Sequence, residues 1–151
     1  MKLSENLELA EMIRSESAKR LGIDNKPTAE HLHNMQLLAF YVFQPIRNHF
    51  KRPIHISSGY RSEALNKAVG GSRTSQHSTG QAMDIDMDGT EITNKQIFDF
   101  IKDNLDFDQL LWEFGTSENP DWVHVSYSGK RNRKQILRVT GSRNKPKYQT
   151  Y

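Results

Sequence analysis

Apolar positions recur every three or four residues between Thr28 and Lys51: Leu32, Met35, Ala39, Val42, Phe43, Ile46 and Phe50. That spacing lays one apolar stripe along a helix and predicts the largest core element of the protein. Pro45 falls inside the stripe, so a kink or a break is expected there. Ser4 to Leu21 reads as an earlier helical segment ended by Gly22, and Ile54 to Ser57 as a strand stopped by Gly59. Ser62 can cap a short helix through Val69; Gly70-Gly71-Ser72 ends it, and a polar loop runs to Gly80. Thr93 with Gln96 forms a capping-box signature for a helix through about Asn104. Phe107 to Phe114 reads as a strand and Ile136 to Thr140 as a last one. The chain after Gly141 reads as a loosely attached tail.

Two stretches alternate strictly. In Gln81 to Met87, Met83, Ile85 and Met87 face one way while Ala82, Asp84 and Asp86 face the other. In Trp122 to Tyr127, Val123, Val125 and Tyr127 share one face and His124 and Ser126 the opposite one. If these strands pair in register, Asp84 and His124 lie side by side on an open sheet face. The expected fold is therefore α+β: one domain over residues 1–141, with a small antiparallel sheet whose open face carries the site and whose other face packs on helices. Residues 142–151 are expected as a basic C-terminal tail.

The 151-residue length suits one domain with a real core. There is no cysteine, so a disulfide framework and a Cys-based structural zinc site are both excluded. Net charge is +3, and Lys130, Arg131, Arg133, Lys134, Arg138, Arg143, Lys145 and Lys147 concentrate it near the end. A basic surface favours anionic partners, and it also aids solubility. No stretch approaches the roughly 20 apolar residues of a membrane span, so no membrane insertion is expected. Met1 to Asn6 shows no apolar signal region, so synthesis and initial residence in the cytoplasm are expected.

Candidate chemistry concentrates in Ser75-Gln76-His77-Ser78-Thr79-Gly80-Gln81-Ala82-Met83-Asp84 and Asp121-Trp122-Val123-His124. Two histidines and a carboxylate can hold a metal through N and O donors. Asp86 and Asp88 compete with Asp84, although Asp88-Gly89 looks like a turn. His31, His33, His49 and His55 are read as ordinary polar side chains on a helix or strand. An iron facial triad also uses two histidines and an acid. Its first histidine and acid are usually one residue apart, which fits the seven-residue gap here poorly.

Ser75-x-His77-x-x-Gly80-x-Ala82-x-Asp84 followed by Asp121-x-x-His124 resembles the zinc D-alanyl-D-alanine carboxypeptidases. Their superfamily also holds lysostaphin-type peptidases and the hedgehog domain. Ser58-Gly59-Tyr60-Arg61-Ser62, Leu65-Asn66 and Gly70-Gly71-Ser72 match the upstream segment, so the resemblance spans roughly residues 28 to 127. It implies one Zn²⁺ held by His77, Asp84 and His124, and Asp121 as general base. It also implies Arg61 as the cation for a substrate carboxylate or carbonyl, with Ser75 beside the substrate. The order Asp-Trp-Val-His departs from the Glu-x-Trp-His of the dipeptidase-like branch and favours the carboxypeptidase branch. Asp121 and His124 have opposite strand parity. Asp121 is therefore expected in a turn after Pro120, from which it can reach the metal side.

The resulting expectation is a zinc metallopeptidase, carboxypeptidase or endopeptidase, cutting peptidoglycan stem peptides or cross-links. A monomeric phage or prophage lysin, released to the cell wall, fits the size and the basic end. The alternative is a zinc-bearing binding module without catalysis. Nucleic acid is not expected as the main partner, since no base-reading motif accompanies the basic stretch.

Overall fold

The computed structural model, which describes residues 1–151, begins with a hairpin of β1 (Lys2–Ser4) and β2 (Leu7–Glu8), followed by α1 (Leu9–Ile13) and α2 (Glu16–Leu21). The single helical segment expected over Ser4–Leu21 is thus a hairpin and two short helices. Two local signals divide it. The Glu11 carboxylate accepts from the Glu8 N–H at 2.9 Å and starts a helix there, and Arg14 is extended before Ser15 caps the next one.

The apolar stripe forms α3 (Ala29–Leu38), a π turn (Ala39–Phe43) and α4 (Gln44–Phe50) in one uninterrupted run. Pro45 offers no N–H to the helix. The wider turn before it, in which the Gln44 N–H donates to the Ala39 carbonyl, lets the run continue where a kink or a break was expected. Met35, Leu38, Ala39, Val42 and Ile46 are completely buried.

β3 (Ile56–Ser58) comes next, then α5 (Glu63–Ala68), whose cap Ser62 accepts from the Leu65 N–H. A 3₁₀ turn (Gln76–Thr79) leads into β4 (Ala82–Ile85). The Thr93–Gln96 box opens α6 (Asn94–Asn104) with both of its hydrogen bonds in place. The chain closes with β5 (Gln109–Glu113), β6 (Trp122–Ser126), β7 (Gln135–Gly141) and β8 (Pro146–Thr150).

The six strands β3 to β8 order as β3-β4-β6-β5-β7-β8. Every pairing is antiparallel except β5 with β7. The sheet is therefore mixed, where an antiparallel one was expected. β7 reverses direction after β6 but docks on the far side of β5, so it runs parallel to β5. The residues expected to trail as a loose tail instead turn at Gly141 (φ +82) and return as the edge strand β8. Lys145 and Lys147 on that edge discourage further strand addition.

Alternation decides what each sheet face does. Met83, Ile85, Leu110, Trp112, Val123 and Val125 are buried against Met35, Val42, Ile97, Phe98 and Ile101 in one cluster. The opposite face carries Asp84, Leu111, Glu113 and His124, with the 3₁₀ turn that holds His77 placed against Asp84.

Phe98 is fully buried and packs edge-on to Trp112 at 5.2 Å between ring centroids. Phe98→Ala is expected to cost about 3–5 kcal/mol. Urea unfolding should show this as a lower midpoint with an unchanged slope.

Candidate metal centre

The β4–β6 ladder sets Asp84 directly opposite His124. Asp84 Oδ1 lies 3.0 Å from His124 Nδ1 and 3.3 Å from His77 Nε2. His77 comes from the 3₁₀ turn before β4, whose first N–H groups are capped by Ser75 Oγ, which accepts from the His77 N–H. Gly80 ends that turn at φ +76, and a Cβ there would sit 2.5 Å from the His31 carbonyl oxygen, so a side chain is excluded on both counts. His77 is buried, and its Nδ1 donates to the Gly59 carbonyl at 2.7 Å. That bond fixes the tautomer and leaves the Nε2 lone pair facing Asp84.

The donor set fits zinc. Its three ligand atoms all lie within 4.8 Å of one another. Metal–ligand bonds of about 2.05 Å in a tetrahedron require donors about 3.3 Å apart, close to the separations of Asp84 from the two histidines. Burial pushes the Asp84 carboxyl up, but His77 and His124 outweigh it and hold the group well below the ordinary carboxylate range. It is therefore an anion ready for a cation.

These residues line a cleft of about 790 Å³ on the open sheet face, together with Arg61, Ser75, Glu113, Trp122, Arg133 and Tyr148. Arg61 N–H donates to the His77 carbonyl at 3.1 Å, while its buried Nε has no partner. Desolvation lowers its pKa, and the nearby Asp84 charge works against that. A second network braces the His77 turn. Buried Asp108 accepts from Gln76 Nε2 and from Arg133 Nε and Nη2, each at 2.8 Å. The Arg133 bonds hold its carboxyl down at about 2.

The structure thus brings His77, Asp84, His124, Arg61 and Ser75 together. It does not bring Asp121 with them. Asp121 precedes β6, which begins at Trp122, and its N–H donates to the Glu113 carbonyl at 2.9 Å, one residue out of the β5–β6 register. The exposed Asp121 carboxylate does not line the cleft with the three donors, and its charge acts on Asp88 instead. The other histidines stay apart as well: His31 bonds Tyr60 Oη, and His55 bonds the Asp86 carbonyl.

The carboxylate that does reach the centre is Glu113, which the sequence reading passed over. It is the last residue of β5, pairs with Trp122 and shares the His124 face. Phe114 and Gly115 then take left-handed backbone, φ 55 and 72, and end the strand. Burial is the main cause that pushes the Glu113 carboxyl up to about 7, with His124 lowering it and Asp84 raising it. The signal in the sequence was the alternation Gln109, Leu111, Glu113, which becomes informative only once β5 is known to neighbour β6.

Three N/O donors able to hold a metal ion, a raised carboxyl group and an arginine share one cleft, the combination that metal-assisted hydrolysis requires. Residues 5–126 match the peptidase M15 family model. The chain belongs to that family, which is one of zinc-dependent metallopeptidases. No curated protein matches the chain. No helix is long and apolar enough to cross a membrane.

Glu113 also predicts a pH dependence of the metal-free protein. Its folded pKa of about 7 exceeds the ordinary 4.5, so the folded state holds its proton more tightly. That stabilisation is complete below about pH 4.5 and disappears as pH rises through about 7. The wild type should therefore lose stability relative to Glu113→Gln across this window, by at most about 1.4 kcal/mol per pH unit. Denaturant midpoints of both proteins from pH 4.5 to 8 check this; a constant difference would remove Glu113 as the source.

Proposed function

We propose that the protein hydrolyses peptide bonds of peptidoglycan stem peptides or their cross-links, with one zinc ion on His77, Asp84 and His124. Glu113, and not Asp121, is the general base. The observation that carries this reading is the position of Glu113 on the strand beside His124, facing the same cleft as the three donors. The peptidoglycan substrate rests on the likeness of the Ser75–Asp84 and Ser58–Ser62 segments to D-alanyl-D-alanine carboxypeptidases. Arg61 supports a C-terminal carboxylate or a carbonyl as the group recognised. The setting that suits this activity is the cell wall, reached as a monomeric lysin.

The residues divide the work as follows. Zinc in this site supplies a positive charge that lowers the pKa of water and offsets charge on the carbonyl oxygen. Glu113 takes the proton of the attacking water as the C–O bond forms. It delivers that proton to the departing amine nitrogen as the C–N bond breaks, which leaves Glu113 as it began. A carboxyl poised near neutrality serves both transfers. Arg61 holds the substrate oxygen end and adds to the stabilisation of developing negative charge. His77, fixed by Gly59, and Asp84 keep the donor geometry unchanged through the cycle. A purely binding zinc module has no use for a buried carboxyl group beside its donors, which disfavours that alternative.

Mass spectrometry of purified muropeptides after incubation with zinc-loaded protein tests the substrate. A loss of one alanine or a split of cross-linked dimers is expected, and unchanged masses throughout would sink the assignment. Glu113→Gln should bind zinc normally and lose roughly 10²–10⁴-fold in turnover. Asp121→Asn should stay within about threefold of wild type, and His124→Ala should lose both zinc and activity. The reverse pattern, an active Glu113→Gln and an inactive Asp121→Asn, would return the base to Asp121.

A further inference from the structure

β8 lies beyond the segment shared with the family, residues 5–126, yet it borders the cleft. Glu113 pairs with Val139, and Val139 pairs with Tyr148, so these three side chains stand on one face of adjacent strands. Two strand spacings put the Tyr148 backbone about 10 Å from that of Glu113, a distance a phenol leaning across the sheet largely spans. The residue is 60% exposed, but burial, and after it the Glu113 charge, raise its hydroxyl pKa. Both side chains line the same cleft, and the Tyr148 side chain stays accessible to a ligand.

The strand is anchored from the opposite face. The Tyr151 N–H donates to the Ile136 carbonyl at 3.1 Å, and its ring packs on Phe98 at 5.0 Å. The Arg138 guanidinium lies 4.6 Å from the Trp112 ring and 5.2 Å from the Tyr151 ring. Such contacts hold β8 in place, so Tyr148 occupies a defined position.

We propose that Tyr148 is a substrate-positioning residue, its ring forming a wall of the cleft against the bound peptide beside Glu113, and that β8 is part of the active cleft. This inference rests on the peptidase reading. An aromatic face with a polar tip suits a small apolar side chain next to a peptide amide, as in an alanine-containing peptide.

The test uses the full-length, zinc-loaded protein with the purified disaccharide-pentapeptide and its cross-linked dimer. Tyr148→Ala and Tyr148→Leu are compared with Lys147→Ala, which lies on the same strand but points to the other face. Both Tyr148 variants should raise KM about tenfold with kcat within about threefold, and Lys147→Ala should change neither. Binding of the uncut pentapeptide by Glu113→Gln protein should weaken by the same factor when Tyr148→Ala is added. Zinc content and thermal midpoint should stay at wild-type values. An unchanged KM in both Tyr148 variants, or a loss that follows zinc content or thermal midpoint, would overturn the inference and leave the peptidase reading intact. A wild type that cleaves neither muropeptide would remove the peptidase reading, and this inference with it.

Discussion

The antiparallel ladder between β4 and β6 is the constraint on which the site depends. It places Asp84 opposite His124, with the carboxylate oxygen 3.0 Å from the imidazole nitrogen. Because side chains alternate with a period of two, a slip of one residue in either strand would turn its donor toward the helices and its apolar neighbours toward water. Met83, Ile85, Val123 and Val125, fully buried on the other face, prevent that slip. Hydrophobic packing on one face of the sheet thus sets the register of the polar chemistry on the other.

Around that ladder, nearly every contact to His77 restricts its freedom. Gly59 accepts its Nδ1 proton, Ser75 caps its turn, Gly80 closes it, and Gln76 ties it to the Asp108–Arg133 pair. The cost of burying Asp108 is offset by charge-assisted hydrogen bonds from Arg133. Glu113 has no equivalent partner, and burial leaves its carboxyl raised. Two acids in one neighbourhood are therefore driven apart: Asp84 is held ionised by two imidazoles, and Glu113 stays near its titration point. That separation suits the two acids to the different roles proposed for them, ligand and proton carrier.

Much of this was legible along the chain. The apolar stripe of the long helix, the capping box at Thr93, the cap at Ser62, and the alternation of Gln81–Met87 and Trp122–Tyr127 each follow from local rules, and each forms close to where those rules put it. The motif residues His77, Asp84, His124, Arg61 and Ser75 gather in one cleft. What misled was local as well. Spacing alone made Asp121 the nearest acid to His124, yet Asp121 precedes the strand and stays outside the cleft, its charge acting on Asp88. The hairpin of β1 and β2 was hidden because a short alternation of Leu3 and Leu7 looks like part of a helical pattern. The π turn was hidden because it depends on how the chain accommodates Pro45.

By itself, then, the sequence determined the elements and their faces, because helix and strand periodicity are properties of neighbouring residues. It also singled out His77, Asp84 and His124, which lie in short ordered motifs and which the structure gathers into one group able to hold a metal ion. Only the tertiary structure decided which strands are neighbours. That β5 lies beside β6 brings Glu113 to the centre, and that β7 docks on β5 and turns back as β8 brings Tyr148 to its rim. Strand order is set by how the whole set of elements buries its apolar faces together. No local pattern in residues 107–114 or 142–151 encodes it.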